Sequence, residues 1–193
     1  IDIIKDYLAQ GKCTEINEVL KTSRNETLLK LIEDESIKYA FFECLVESPY
    51  EYAYLQIKDT FNKTRDANIY LYLEKMAYNL GLMNEASDFS TKVEMVDDQM
   101  VLANEFLYRY QKKKKKSEPI AMERFFTYTN QNPSYIKVNE NNPIIIDFYY
   151  DYYLDLLKGK NKVLANEILN SLYNKQKALK AFVYSPFVET ELA

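Results

Sequence analysis

The chain has 193 residues, of which 47% are hydrophobic and 28% are charged, and its formal net charge is −4. This balance is typical of a globular domain, and the net negative charge argues against direct contact with nucleic acid. Three glycines and five prolines are too few for the many turns of a sandwich or barrel, so the composition predicts an all-α fold. No apolar run approaches the ~20 residues of a membrane helix, which argues against a membrane partner.

The first three predicted elements are helical hairpins with turns at Gly11, Ser48 and Gly81. Gly11 separates the helical runs IIKDYLAQ and TEINEVLKT, Ser48 lies in ECLVESPYEYAYLQIKDTF, and Gly81 separates NIYLYLEKMAYNL from EASDFSTKVEMV. Glycine readily adopts the left-handed conformation that closes a helix C-terminus, which explains its place between two helical runs. Asn84 is predicted to be the N-cap of the helix that follows Gly81.

Two further hairpins are predicted in the second half of the chain, with turns at Lys116 and Gly159. Gly159 separates IIIDFYYDYYLDLLK from KVLANEILNSLYNKQ, so it is interpreted in the same way as the first two glycines. The intervening segment Asn130–Pro143 is rich in asparagine and contains two prolines, which predicts a loop. After Tyr173 the sequence predicts either an extension of the last helix or a capping helix.

The five turns are spaced by about 33 to 43 residues, which is the period of an α-solenoid. Short side chains recur shortly after the turns, where they let the second helix of a hairpin lie close to the first; they are Ile16, Ala53, Ala86, Ala121 and Ala165. We therefore predict a right-handed α-solenoid of about five hairpins that forms one domain over residues 1–184. Residues 185–193 are expected to form a frayed tail.

The stretches SPYEYA and GLMNEA resemble the turn of the tetratricopeptide repeat, whose consensus is Gly-x-Tyr-x-x-Ala. The third hairpin fits this family best, with its aromatic, leucine, turn and small positions at Tyr70, Leu73, Gly81 and Ala86. The pattern is degenerate, because Glu74 and Phe41 replace the small residue of the first helix and lysines replace the fourth turn. The resemblance implies stacked helical hairpins with a concave face that binds a protein or peptide.

The chain is also similar in style to the ligand-binding domain of the peptide-pheromone receptors of Gram-positive bacteria. The similarity consists of degenerate helical repeats and a composition rich in Lys, Asn and Tyr. It implies the sensor domain of a peptide-responsive transcriptional regulator, in which a DNA-binding helix-turn-helix domain precedes the repeats. Because the sequence begins at Ile1, we expect it to be a fragment.

Two groups of residues are candidates for ligand binding. If the third hairpin follows the tetratricopeptide pattern, the resemblance places five residues on its concave face: Asn68, Leu71, Tyr72, Lys75 and Asn79. Asparagine side chains can pair with both the N–H and the C=O of an extended peptide. The alternative is an ordinary polar surface.

The second group lies on the first helix of the fifth hairpin, where acidic residues recur every four positions at Asp147, Asp151 and Asp155. Tyrosines flank these acids, at Tyr149, Tyr150, Tyr152 and Tyr153. The acids form either a strip that holds a basic partner or a solvated helix face, and the tyrosines either line a groove or pack in the core. Asp147, Asp151 and Tyr152 are retained as candidate ligand-binding residues.

Several kinds of chemistry have no support in the sequence. The chain contains no histidine, which removes the commonest general base and the commonest metal ligand. Its glycines lie too far apart for a phosphate-binding loop. We therefore expect no enzymatic activity, no metal and no cofactor. The five lysines of Lys112–Lys116 are interpreted as a solvated loop rather than as a contact for nucleic acid or an acidic partner.

The only cysteines, Cys13 and Cys44, are expected to be reduced and buried. Since no signal peptide is visible either, we expect a cytoplasmic location. The predicted function is the binding of a peptide or protein in a helical groove. The alternative is a structural or adaptor subunit that forms a homodimer or docks in a larger assembly through apolar C-terminal residues, namely Phe182, Val183, Phe187 and Val188.

Overall fold

A computed structural model of the chain describes residues 1–112, 119–138, 142 and 144–179. These residues form helices and turns without a β-strand, which confirms the all-α prediction. Backbone contacts divide the chain into two compact units, Ile1–Asp98 and a second that begins at Gln99. The solenoid arrangement and the single domain over residues 1–184 stay predictions.

The first unit contains seven helices. They are α1 (Asp2–Ala9), α2 (Cys13–Thr22), α3 (Asn25–Glu33), α4 (Lys38–Glu47), α5 (Glu51–Thr60), α6 (Ala67–Asn79) and α7 (Met83–Val96). Helix α4 packs against α1 and α6, while α2 packs against α1 and α4, and α6 against α5 and α7. Among the three helices that precede the turns at Gly11, Ser48 and Gly81, α4 is therefore the neighbour of the other two.

Backbone hydrogen bonds explain the turn at Gly81. Gly81 has a φ of +79°, and the Leu82 amide donates to the Ala77 carbonyl at 2.9 Å while the Gly81 amide donates to Tyr78 at 3.0 Å. This pair of bonds closes the C-terminus of α6, and the left-handed conformation in between favours glycine. Leu82 donates the hydrogen bond that closes α6 and directly precedes Met83, the first residue of α7. The N-cap of α7 is therefore Leu82 and not the predicted Asn84.

A turn that the sequence analysis missed separates α3 from α4. The Asp34 carboxylate accepts hydrogen bonds from the backbone amide of Ser36 at 3.0 Å and from its hydroxyl at 2.5 Å. An aspartate bonded to the backbone two residues later forms a local turn that competes with helix continuation. Helix α3 therefore ends at Glu33, and α4 begins at Lys38.

The described part of the second unit contains five helices. They are α8 (Gln99–Lys112), α9 (Pro119–Gln131), α10 (Pro133–Val138), α11 (Ile144–Lys158) and α12 (Lys162–Leu179). Helix α11 packs against α8, α9 and α12, and α10 packs against α9 and α12. The predicted turn at Lys116 and the apolar C-terminal residues at positions 182, 183, 187 and 188 lie outside the described residues.

Two expectations for the second unit were wrong. Asn130–Pro143 is not simply a loop, because α9 continues to Gln131 and α10 starts at Pro133, where a missing N–H costs the helix nothing. The left-handed position after α11 belongs to Lys160, with a φ of +60°, and not to Gly159. Here the Asn161 amide donates to the Leu156 carbonyl at 3.0 Å, so the closing turn lies one residue later than at Gly81.

Four of the five residues predicted to follow the turns lie in the core, as their proposed packing role requires, whereas Ala121 is half-buried. Ile16, Ala53 and Ala165 are 0% exposed and Ala86 is 6% exposed. In the first unit they accompany large buried side chains of α4, such as Phe41 and Phe42.

The two cysteines form a disulfide, so the expectation that they are reduced was wrong. Cys13 is the first residue of α2, Cys44 lies on α4, and their Cα atoms are 4.9 Å apart. The packing of α2 against α4 brings together residues that are 31 positions apart, which no local pattern in the sequence indicates.

Candidate binding face

Helix α6 is buried except for a narrow strip. Of its 13 residues, eight are buried, namely Ala67, Ile69, Tyr70, Leu71, Leu73, Glu74, Met76 and Ala77. The predicted ligand-binding residues Asn68, Tyr72 and Lys75 are half-buried and Asn79 is exposed. These four share one side of the helix, since they are spaced by about one or two turns. Leu71, which was expected on the same face, packs in the core.

Side chains of α4 extend this strip. The Tyr72 hydroxyl donates to Glu43 Oε1 at 2.7 Å, and Asn79 Nδ2 donates to the Val46 carbonyl at 2.7 Å. The second bond satisfies one of the carbonyls that a helix leaves unpaired in its last turn. The ring of Tyr39 lies 5.8 Å from the ring of Tyr72. We define the α4–α6 face as the seven residues Tyr39, Glu43, Val46, Asn68, Tyr72, Lys75 and Asn79.

Asp66 fixes one end of the α4–α6 face. Its carboxylate accepts the backbone amide of Asn68 at 2.9 Å, which caps α6, and it also accepts the Tyr39 hydroxyl at 2.7 Å. One short side chain therefore starts α6 and anchors an aromatic ring of α4.

The hydroxyl groups of Tyr39 and Tyr72 on the face are hydrogen-bond donors. Burial, followed by the hydrogen bond to Asp66, raises the pKa of Tyr39 above its usual value. Burial, followed by the hydrogen bond to Glu43, raises the pKa of Tyr72 in the same direction. Both phenols therefore remain neutral at physiological pH, with their protons directed at carboxylates of the protein.

Charges of both signs surround the aromatic rings. The Lys75 ammonium lies 5.7 Å from the centre of the Tyr72 ring. The buried Lys38, which is 5% exposed, pairs with Glu35 at 2.6 Å and lies 5.0 Å from the Tyr39 ring. Cations at this distance from a ring are attracted to its face and hold its orientation. The face therefore presents oriented aromatic rings, amides and balanced charge, which suits recognition by contact more than proton transfer.

The second predicted group lies in the other unit, on α11. The Asp151 carboxylate accepts a hydrogen bond from the hydroxyl of Tyr110, which is 0% exposed. Tyr152 is 4% exposed and its ring lies 6.1 Å from that of Phe126, so it packs in the core, and burial raises its pKa. Asp147 is half-buried. Tyr152 and Asp151 thus contribute to packing within the second unit.

Sequence reasoning missed the contribution of α4 to the face. The signal was present in the repeat, because Val46 and Asn79 are 33 residues apart, and Tyr39 precedes Tyr72 by the same interval. Positions one repeat apart on neighbouring first helices lie next to each other when hairpins stack.

A separate cleft of about 220 Å³ lies among α5, α6 and α7. Lys58 and Glu85 pair across it at 3.1 Å, and the Lys92 ammonium lies 5.2 Å from the centre of the Phe89 ring. Asp88 also lines it, so two cations and two anions balance and no ligand charge is favoured. Across the described ranges, no group of three or more Cys, Asp or Glu side chains is placed to hold a metal ion.

Comparison with protein-family models, with curated proteins and with solved structures found no match to this chain. The resemblance to tetratricopeptide repeats and to peptide-pheromone receptors therefore stays a prediction. Within the part of the chain that the structure describes, no helix has the length and apolar character needed to cross a membrane.

Proposed function

We propose that the chain is a binding module that holds an extended peptide or protein segment on the α4–α6 face. The observation that carries this proposal is the strip on α6. A helix whose other sides are largely buried leaves Asn68, Tyr72, Lys75 and Asn79 toward the surface on one side. Helix α4 continues the strip with a second tyrosine and a carboxylate.

The chemistry of the face suits an extended backbone. Each peptide residue brings one N–H and one C=O that require partners. Asn79 is exposed, and while its Nδ2 bonds to Val46, its Oδ1 can accept a peptide N–H. The rings of Tyr39 and Tyr72 offer flat contact area for apolar side chains of the peptide. Their hydroxyls are already held by Asp66 and Glu43, so binding orders few further groups, which favours affinity.

We propose more specifically that the chain is a right-handed helical-repeat array and that it acts as the cytoplasmic sensor domain of a peptide-responsive transcriptional regulator. Two features support it: the packing of α4 against both α1 and α6, and the recurrence of face residues at an interval of 33. In this arrangement the peptide binds by shape and hydrogen bonding, and the domain itself catalyses no reaction.

The test is a selection of random peptides, displayed on phage, against the purified full chain. Enriched peptides are then measured by calorimetry against Asn79→Ala and against Asn84→Ala, which makes the same chemical change at an exposed residue of α7. We expect Asn79→Ala to weaken binding by roughly tenfold or more and Asn84→Ala to leave it unchanged. Equal affinities for the two variants, or the absence of any enriched peptide, would refute the site.

Loss of the Asn79–Val46 hydrogen bond also affects stability, and this effect must be separated from binding. One hydrogen bond contributes about 1 kcal/mol, which is too little to unfold an ordinary domain. Thermal unfolding of both asparagine variants should therefore show folded protein at the temperature of the binding assay.

The alternative function is an adaptor subunit that dimerises. It predicts a doubled mass in light scattering that no peptide changes.

A further inference from the structure

The disulfide lies next to the contacts that build the α4–α6 face. Cys44 immediately follows Glu43, which holds the Tyr72 hydroxyl, and lies half a turn before Val46, whose carbonyl holds Asn79. The bond to Cys13 ties this turn of α4 to the first residue of α2. The bridge therefore adjoins two α4 residues that bond to side chains of α6.

A second, non-covalent link ties α2 to the end of α4. The buried Asn17 donates from Nδ2 to the Ser48 carbonyl at 2.7 Å and to the Ser48 hydroxyl at 3.0 Å. This link does not involve the sulfur atoms, so we expect it to hold α4 against α2 when the disulfide opens and the covalent restraint is lost. Opening the bridge is therefore compatible with a folded unit.

The surroundings of the bridge suit the thiol form as well as the disulfide. Glu47 Oε2 lies 3.7 Å from Cys13 Sγ. In the disulfide this sulfur carries no proton, whereas after reduction the Cys13 thiol has a carboxylate oxygen within reach as its acceptor. Each cysteine is 7% exposed, so neither is completely sealed from a small thiol.

We infer that Cys13 and Cys44 form a reversible thiol–disulfide site that controls how firmly α4 is held, and thereby the geometry of the α4–α6 face. Its role in regulating peptide binding rests on the proposed function. A small thiolate attacks one sulfur, the S–S bond breaks, and the other cysteine leaves as a thiolate that takes a proton. A second thiol then releases the mixed disulfide, so that two electrons and two protons pass to the cysteines and the reductant becomes a disulfide.

Glutathione buffers test the first half of the inference. The full chain is equilibrated under native conditions at a series of ratios of reduced to oxidised glutathione, alkylated, and weighed by mass spectrometry. We expect one reversible two-electron transition between the closed and the open pair. A pair that stays closed in excess dithiothreitol until denaturant is added would be a purely structural disulfide, and the inference would be wrong.

Hydrogen exchange tests the coupling to the face. In the reduced protein we expect amide exchange to be roughly tenfold faster in the last turn of α4 and in α6 from Tyr72 to Asn79, with α11 as the unchanged reference. Asn17→Ala should enlarge this difference, because it removes the second link. Faster exchange confined to the residues next to the two cysteines would overturn the coupling.

A variant without the sulfur atoms provides the control. Cys13→Ser combined with Cys44→Ser should match the reduced protein and should not respond to glutathione. If this variant fails to fold, the reduced and oxidised forms of the unaltered chain still provide the comparison.

Peptide binding separates the two proposals. Selected peptides that bind the oxidised and reduced forms equally would refute regulation and leave the binding function intact. If no peptide binds either form while exchange responds to reduction, the binding function fails and the thiol–disulfide site stands.

Discussion

Reduction of the Cys13–Cys44 bridge should lower the free energy of unfolding of the first unit by as much as about 3.7 kcal/mol. The bridge joins residues that are 31 positions apart. Closing a loop of that length removes about 12 cal/mol/K of entropy from the unfolded chain, which is about 3.7 kcal/mol at 25 °C. Native-state strain and residual structure in the unfolded chain both reduce this figure, so it is an upper bound.

Urea unfolding followed by circular dichroism, with and without reductant, measures this difference. Reduction removes no heavy atom from the protein, so it isolates the loss of the cross-link from the loss of packed side-chain atoms. The matched control is Cys13→Ala combined with Cys44→Ala. Because the chain has no other cysteine, this variant should not respond to reductant at all. A shift below about 0.5 kcal/mol on reduction, within the range of ordinary surface substitutions, would refute the entropy argument. Two titratable thiols in the denatured, unreduced protein would refute the bridge itself.

The remaining predictions concern turns and one carboxylate. Gly81→Ala should destabilise the protein by about 1 kcal/mol because the φ of Gly81 is +79°. Gly159→Ala should be nearly neutral and Lys160→Gly should be stabilising, because the left-handed position belongs to Lys160. Urea midpoints of the three variants check this order. The hydrogen bond from Tyr54 lowers the pKa of Glu85 below 4.5, and the pairing with Lys58 acts in the same direction. The ionised Glu85 carboxylate therefore stabilises the folded chain above pH 4.5. This contribution is lost as the pH falls through the lower pKa that Glu85 has in the folded state. Tyr54→Phe should therefore destabilise more at neutral pH than well below pH 4.5, and an equal effect at both would contradict this account.

Local sequence signals located many of the helix ends. Glycine at 11 and 81 and the Ser-Pro pair at 48 marked turns, because their backbone requirements are local. The turn at Asp34 was also local, since Asp34 and Ser36 are two residues apart, but it interrupts a helical pattern without glycine or proline and was overlooked. At Gly159 the residue type indicated the turn while the left-handed position moved to Lys160.

Contacts between distant residues could not be predicted in the same way. The tetratricopeptide resemblance placed five residues of α6 on one face, and four of them lie half-buried or exposed there, whereas Leu71 packs in the core. The environment of Tyr152 could not be predicted, because a tyrosine on an amphipathic helix can line a groove or pack in the core. Its contact with Phe126, which places it in the core, depends on how distant parts of the chain pack together. The disulfide likewise depends on which helices become neighbours.

Several contacts between distant residues of the first unit nevertheless share nearly the same sequence interval. Four of them are the Cys13–Cys44 bridge, the Asn17–Ser48 bonds, the Tyr54–Glu85 bond and the Asn79–Val46 bond, with separations of 31, 31, 31 and 33. Each joins a residue of one helical hairpin to the residue about one period later or earlier. Such a recurrence is what neighbouring hairpins produce when they pack in the same relative orientation, since equivalent positions then meet repeatedly.

Tyrosines form a further set of contacts between helices of the first unit, and the chain has 18 tyrosines and no tryptophan. A phenol ring fills the space between two helices, and its hydroxyl reaches a carboxylate on the far side, as Tyr39, Tyr54 and Tyr72 do with Asp66, Glu85 and Glu43. Such polar links can hold neighbouring helices together even where the bulkier Phe41 and Glu74 occupy positions that the tetratricopeptide pattern gives to small residues. On the α4–α6 face such links fix the rings of Tyr39 and Tyr72, so the contacts that hold the helices together also shape the proposed site.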